Sequence, residues 1–551
     1  SDQIDVKTRL EPSLTVKNLP QTAEFLPGQK SLVFENLSVD EVGELRIKII
    51  DDDSNKLLCE AGPLIIEDRT YASYWGDLHR QSGETIGITN SREYFDFGRD
   101  LAFLDVISHQ ANDFQVNNAF WTFLNELTAS YNDEGRFVTF PGYEWSGNTS
   151  VGGDRNIFFR KEGCQIRRSS HALLPDQSDI DTDANDAREL FEALKDEDCI
   201  AYAHVGGRYA DIKFAHDPKI ETAMEIHSAW GTFEWLLTDG FPLGHRSGVV
   251  CNSDGHKGRP GASYPGASMF GAYGGLTCFY TDELTRDGIF DCLKKRHHYG
   301  TTGNRLHLTV HAEFRSDSKL FDLDPNVYDT ARPIFVRTAM MGDIIQTNDD
   351  RVNLNVNVKS PTPVERIEVR NGTDVIEIVR GYTTSNLGNR YRVLWSGAEY
   401  RGRGRNTNWV GEAIFKNCKI KNMQKINAWN HEKLLEVTGD NCVQFDAITT
   451  GNYGGFDVWL DDIDNAEIQI KTNHGSLNEK LFGMGIEDTI LDCGGLERKI
   501  KIIRLPDENS HRELKGSVDI SLNAKGDNPL WVCVTTEDGF QAWSSPIFVF
   551  N

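Results

Sequence analysis

The feature that most constrains this chain is a series of short apolar runs between Tyr71 and Arg305, alternating with helix-like sequence. Such alternation argues for βα units and a largely parallel sheet. The strand candidates are Tyr74-Trp-Gly-Asp-Leu-His, Leu104-Asp-Val-Ile-Ser-His, Phe137-Val-Thr-Phe-Pro-Gly-Tyr-Glu and Asn156-Ile-Phe-Phe. They continue with Cys199-Ile-Ala-Tyr-Ala-His, Ala223-Met-Glu-Ile-His, Val249-Val-Cys-Asn-Ser-Asp and Leu276-Thr-Cys-Phe-Tyr. Helices are expected over Asn118 to Ser130, with Phe120, Phe123, Leu124 and Leu127 on one face, and over Ala187 to Lys195. A third is expected over Leu284 to Lys295, capped by Asp282 or Thr281.

Six of the runs end in a possible metal ligand: His79, His109, Glu144, His204, His227 and Asp254, with His256 two residues beyond the last. In a βα barrel the strand C-termini converge on one rim, so residues distant in sequence face one small volume. Twelve of the fifteen histidines fall between His79 and His311, a span of under half the chain. Neutral imidazole together with carboxylate is the donor set of Zn, Mn and Fe sites, and the absence of thiolates disfavours a purely structural zinc. One strand-end histidine is more often a hydrogen-bonded core residue than a ligand; recurrence across six strands is what points to metal. His227 suits an acid/base role as well as ligation, and mid-strand Asp105 suits orienting a ligand.

The flanks read differently. Residues 1–68 form a small β domain, with strands expected at Ser31-Leu-Val-Phe and Glu44-Leu-Arg-Ile-Lys-Ile-Ile, and 69–305 hold the βα pattern. Residues 306–551 read as antiparallel β, with sandwich strands expected at Ile367-Glu-Val-Arg, Val375-Ile-Glu-Ile-Val, Ala466-Glu-Ile-Gln-Ile-Lys, Val518-Asp-Ile-Ser-Leu and Leu530-Trp-Val-Cys-Val. With 58 basic against 83 acidic residues the formal net charge is -25, which argues against nucleic acid or an anionic membrane as main partner. Ten scattered cysteines without a CxxC pair fit buried free thiols in a reducing compartment. No apolar run approaches the roughly 20 residues that cross a bilayer, so the expected location is cytoplasmic, or periplasmic if a signal peptide has been removed. Neither a Gly-x-Ser-x-Gly elbow nor a P-loop occurs, so acyl-serine and nucleotide-driven chemistry are not suggested.

The order Gly-Asp-Leu-His79, Leu-Asp-Val-Ile-Ser-His109, Pro-Gly-Tyr-Glu144, Ala-His204 and Ser-Asp254-Gly-His256 resembles the polymerase and histidinol phosphatase (PHP) superfamily. Tyr299-Gly-Thr-Thr-Gly and Ala542 to Ile547 are similar to features of a PHP-like family with flanking β domains. The resemblance implies an α/β fold, a distorted (β/α)7 barrel with flanking antiparallel β domains. It implies one to three divalent ions, Mn, Zn or Fe, and most often phosphoester hydrolysis. The superfamily's first His-x-His motif is His79-Arg-Gln81 here, putting Gln81 at a ligand position; a histidine usual near Asn156 is missing, leaving Asp154 or Asn156 in its place. Glu144 bridges metals by analogy. Arg80, Lys257, Arg259 and Arg305 flank the motifs as candidates for anion stabilisation, and His256 or His227 for protonating a leaving group.

The expected function is therefore a metal-dependent hydrolase using activated water, a phosphoesterase first. The alternative is a hydrolase or lyase acting on an amide, lactone, sulfate ester or sugar derivative. Tyr143, Trp145, Trp230, Phe233 and Trp235 lie near the motifs and suit an organic substrate body. A non-enzymatic ligand-binding protein is the third reading. The substrate expected is a small or oligomeric anionic organic molecule. The Gly-rich loops 148–154 and 255–271 are placed to shape or cover the pocket.

Overall fold

The computed structural model describes residues 7–551 apart from Pro27, Lys30, 263–270 and Trp429. Strands dominate. Every strand expected in the βα region forms, but they fall into two sheets of mixed direction. In one, Ala72–Asp77, Val106–Ser108 and Val138–Phe140 run parallel, while Leu276–Thr281 lies antiparallel between Ala72–Asp77 and His298–Thr301. In the other, Cys199–Ala203, Glu221–Ser228 and Gly248–Cys251 run parallel, and Gly142–Ser146 and Asp154–Phe159 join as an antiparallel pair.

The sheet pairing is thus not a ring of seven parallel βα units. A parallel connection needs a crossover of about a dozen residues or more, usually a helix. Among the described residues, helices of at least eight residues occur only at Asn118–Tyr131, Ala187–Leu194 and Arg286–Lys295. The short link from Ser146 to Asp154 leaves room only for a reversal. The first helix is rotated from expectation: Trp121, Leu124 and Leu127 are buried, whereas Phe120 and Phe123 are half-buried. The third begins later than expected and is capped by Thr285, whose hydroxyl accepts from Gly288 N at 3.0 Å. Neither Asp282 nor Thr281 caps it, because Thr281 is still paired in a strand opposite Ala72.

The two sheets are stitched at their C-terminal ends. Asp254 N donates to His79 O at 2.7 Å, Gln81 N to Gly255 O at 3.3 Å, Gln110 N to Arg80 O at 2.9 Å and Glu144 N to Ala111 O at 2.9 Å. Four chain segments that leave different strands therefore lie side by side.

The flanking regions are antiparallel. Lys7–Pro12, Thr22–Glu24, Gly43–Asp51 and Leu57–Ile66 form a four-stranded sheet. Ser31–Phe34 is not a strand as expected: Val33 and Phe34 lie exposed, and the edge of the sheet is taken by Thr22–Glu24. Beyond residue 305 the first sheet simply continues, since His298–Thr301 pairs with Gln541–Ser544, which pairs with Asn528–Thr536. Between its later strands is inserted a pair of five-stranded sheets centred on Arg390–Ala398 and Thr407–Lys416. They share a core that includes Trp395, Trp409, Phe445 and Phe456. All ten cysteines are free and seven are buried. Among the described residues no helix is long and apolar enough to cross a membrane.

Candidate metal centre

The stitched rim gathers a compact set of donors. His79, two residues past Ala72–Asp77, sets its Nε2 3.4 Å from Asp254 Oδ1 and 3.7 Å from Glu144 Oε2. His204, just beyond Cys199–Ala203, sets its Nε2 3.6 Å from Glu144 Oε1 and 3.9 Å from Asp154 Oδ2. Two groups of three result, His79/His204/Asp254 and Glu144/Asp154/His204, each with its donor atoms within 4.8 Å of one another. His204 is common to both, and Glu144 offers one oxygen to each histidine.

These residues fit a bound cation. His79 Nε2, His204 Nε2 and Asp154 Oδ2 are buried and have no hydrogen-bond partner. Buried polar atoms are nearly always paired, so three orphans converging on one volume call for a ligand. Gly206 walls the same space: a Cβ there would stand 3.2 Å from Asp254 Oδ2, 3.4 Å from His204 Nε2 and 3.5 Å from Asp154 Oδ2. Asp254 holds a left-handed backbone with φ of 43°. That conformation costs a non-glycine residue on the order of 1–3 kcal/mol and recurs at functional sites.

Supporting contacts fix the donors. His79 Nδ1 lies 3.1 and 3.2 Å from the two oxygens of Glu225, which also accepts from Asn252 Nδ2 at 2.8 Å. A carboxylate on Nδ1–H leaves the Nε2 lone pair for a metal. The Asn156 amide stands 3.4 Å from His204 Nδ1. Arg208 Nε donates to Asp154 Oδ1 at 2.6 Å, and its Nη2 is 3.7 Å from Glu144. Asp77 ties the following loop to the strand end, accepting from Ser253 N at 3.0 Å and Gly261 N at 2.9 Å.

The electrostatics are those of crowded, buried acid. Burial raises Asp254 well above the usual carboxylate range; His79 opposes this, and the charges of Glu144 and Glu225 add to it. Asp154 is likewise raised by burial and by Glu144 against the pull of Arg208. Burial pushes Glu144 up, but the imidazoles of His204 and His79 beside it favour its charged form and hold it well below the usual carboxylate range. Burial pulls His79 down, but Asp254 and Glu225 push it above its ordinary value overall. A divalent cation relieves all of these at once.

The remaining expected residues take other places. Gln81 Nε2 donates to Glu144 Oε2 at 2.9 Å, and its Oε1 accepts from Thr85, so it holds the glutamate. His109 sits outside both groups, with Nε2 2.7 Å from Ser82 Oγ and its ring against Tyr94. His256 is at the edge, 3.9 Å from Asp254 Oδ1, partly exposed and edge-on to Trp230. His227 is turned away, engaged with Thr232 Oγ1 and Tyr273 O at 2.9 Å each and stacked on Trp543. Arg80 is fully buried beneath Gly255, where a Cβ would strike its guanidinium. Lys257 is half-buried and Arg259 exposed on the loop after Asp254. Arg305 donates to the carbonyls of Ala102 and Phe103, and Asp105 accepts from Trp75 N, so both brace backbone away from the donors. Tyr143 and Trp145 are core residues; Trp145 Nε1 donates to Ala184 O. Of the loop 255–271, residues 263–270 lie outside the described residues.

Sequence reasoning missed Glu225, Asn252 and Arg208. Glu225 had a readable cue, since it alternates with Ala223 on one face of Glu221–Ser228. The residue chosen instead, His227, is displaced by a bulge: Glu225 pairs with Val250 but His227 with Cys251, which reverses the face presented. Ala223 and Val250 accordingly join one core, and Cys251 and Trp543 another.

Two outcomes follow from this geometry. Gly206→Ala fills the space between the donors, so elemental analysis should find its metal content below about half that of the wild type, with far-ultraviolet circular dichroism unchanged; full occupancy would contradict the placement. In the metal-free protein the raised pKa values of Asp154 and Asp254 give stability that is present at low pH and lost as pH rises through the folded-state values. Metal displaces those protons, so the rise in Tm on adding Mn or Zn should grow between about pH 6 and about pH 8. A shift that shrinks over that range would count against these two carboxylates as donors.

Comparison with known proteins places the chain. Uncharacterized proteins match from Chlamydia pneumoniae, 24% identical over 308 residues, and from Chlamydia trachomatis, 21% identical over 312 residues. These alignments cover 52% and 51% of this chain and 48% of each relative, so the chain spans about half the length of the curated relatives it matches. A solved structure from Bacteroides vulgatus, a two-domain protein described as containing a predicted PHP-like metal-dependent phosphoesterase, aligns at 10% identity and a TM-score of 0.31. That alignment covers 76% of this chain and 98% of the other. The family described as protein of unknown function (DUF3604) matches residues 65–215 and 249–421. With more than half of its length matched, the chain belongs to the DUF3604 family.

Proposed function

We propose that this chain is a metal-dependent hydrolase and that its foremost substrates are phosphate esters. The observation that carries the reading is the pair of donor groups sharing His204 and spanned by the two oxygens of Glu144. Bound there, divalent ions of the Mn, Zn or Fe kind would polarise a substrate oxygen and lower the pKa of water toward neutrality. Glu225 and Asn252 hold His79 with its Nε2 free, and Gln81 and Arg208 hold Glu144 and Asp154. Arg208 also supplies positive charge beside the donors, which suits an anionic substrate. We assign this chemistry to residues 69–305, a distorted variant of the (β/α)7 arrangement, with 1–68 and 306–551 as flanking β regions.

His256 also borders the cluster, 3.9 Å from Asp254 Oδ1. Burial lowers its pKa to about 4, so it is neutral at neutral pH and suited to ligating metal or accepting a proton rather than donating one. His227 is too well engaged elsewhere to serve as acid or base.

A second reading, hydrolysis of a sulfate ester, lactone or other organic substrate, is favoured by Trp230 beside His256, which offers an aromatic wall to a substrate body. The deciding experiment reconstitutes the full chain with Mn or Zn and screens phosphomonoesters, phosphodiesters, sulfate esters and lactones. Chelator-sensitive turnover of phosphate esters is expected, reduced at least a hundredfold in His79→Ala and Asp254→Ala. Turnover confined to sulfate esters or lactones would favour the second reading. Failure to retain any metal after reconstitution would defeat both.

A further inference from the structure

A loop from the distant inserted sheets reaches the metal centre. Residues 399–406 connect Arg390–Ala398 to Thr407–Lys416 and are braced by Glu399 N donating to Arg405 O at 2.8 Å and Tyr400 Oη donating to Arg403 O at 2.6 Å. At the end of this loop Arg405 is 3% exposed. Its Nη2 donates to Gly206 O at 2.7 Å and its Nε to Gly402 O at 3.0 Å. Gly206 is the residue that walls the donor cluster. Arg405 thus stands one residue removed from His204, Asp154 and Asp254, and its Nη1 is buried without a partner. A guanidinium buried with an unused donor is costly unless something accepts from it.

Arg405 also lines a cavity of about 310 Å³ between residues 232–235 and the inserted sheets. The cavity wall contains acids, but each has a basic neighbour: Arg366 pairs with Glu365, Arg370 with Glu234 and Glu368, and Lys499 with Glu497. Arg401 is committed to Asp239. Lys501 stands 3.5 Å from Asp488 and Lys499 3.8 Å from Glu497, whereas Arg405 Nη1 is a buried N–H without a partner, and the aromatic rings of Trp230 and Phe233 lie 5.9 and 5.1 Å from its guanidinium carbon. The balance selects an anion attached to an organic body.

We propose that Arg405 is the anion-recognising residue of the substrate site, holding an oxyanion group of an organic ester whose body lies in the adjoining cavity. This rests on the metal-hydrolase reading above for what happens to the ester, but the anion contact itself can be measured separately. The inserted sheets are then part of the substrate site.

The test titrates inorganic phosphate and inorganic sulfate by calorimetry into the full chain, metal-free and metal-loaded, for wild type, Arg405→Gln and Arg405→Lys, with metal content measured on the same samples. A charged hydrogen bond of this kind is worth about ten- to a hundredfold in affinity. Arg405→Gln should lose that much anion affinity at unchanged metal content, with Arg405→Lys intermediate. Tighter phosphate binding marks a phosphate ester and tighter sulfate binding a sulfate ester; either supports the assignment. Should Arg405→Gln melt early, Arg405→Lys carries the comparison alone, and weaker anion binding by it at unchanged metal content supports the assignment. Unchanged anion affinity in the variants, or a loss of affinity that only tracks loss of metal, would overturn it. Wild type that binds anion through Arg405 yet retains no metal would keep this inference and defeat the hydrolase reading.

Discussion

Hydrogen bonds from Asp254 N to His79 O, from Gln81 N to Gly255 O and from Glu144 N to Ala111 O join the ends of two sheets whose strand ladders are separate. Everything at the rim depends on that joint. Asp254 makes its part of the joint with a left-handed backbone, and together these bonds bring two carboxyl-bearing segments against two histidine-bearing ones. Asp77 reinforces it by gripping Ser253 and Gly261, so a strand-end carboxylate near the donors serves as a backbone clamp.

The joint concentrates charge that water does not reach. Glu144, Asp154, Glu225 and Asp254 are all buried within one small volume, offset by His79 and Arg208. A buried carboxylate without sufficient counter-charge is pushed toward its neutral form, as Asp154 and Asp254 are. A site assembled at that cost, with orphaned imidazole nitrogens facing inward, is organised for a cation.

Much of this was legible in the sequence, and the exceptions have identifiable causes. Strand-end position singles out His79, Glu144, His204 and Asp254, which the structure brings together, because period-2 alternation and the break at each strand end are local properties. The resemblance leaves Asp154 or Asn156 in the place of a missing histidine, and the structure sets Asp154 among the donors and Asn156 against His204 Nδ1. His227 obeys the same local rule but a one-residue bulge turns it to the opposite face, and nothing in Ala223-Met-Glu-Ile-His announces the bulge. Arg305 flanks a motif in sequence but is drawn to the carbonyls of Ala102 and Phe103. Alternation of apolar runs likewise overstated the parallel content, since too few helices are present to supply every crossover. Arg208 and Arg405 were invisible for the converse reason: their importance comes from loops, and in Arg405 from a segment some 200 residues away in the chain that only tertiary structure brings to Gly206.

The most direct measurement of the central claim is anomalous diffraction from crystals soaked in a manganese or zinc salt. Anomalous density is expected between His79 Nε2 and His204 Nε2, at about 2.0–2.2 Å from those nitrogens and from oxygens of Glu144, Asp154 or Asp254. Density located instead at His109 or His227, with none between His79 and His204 at saturating metal, would contradict it.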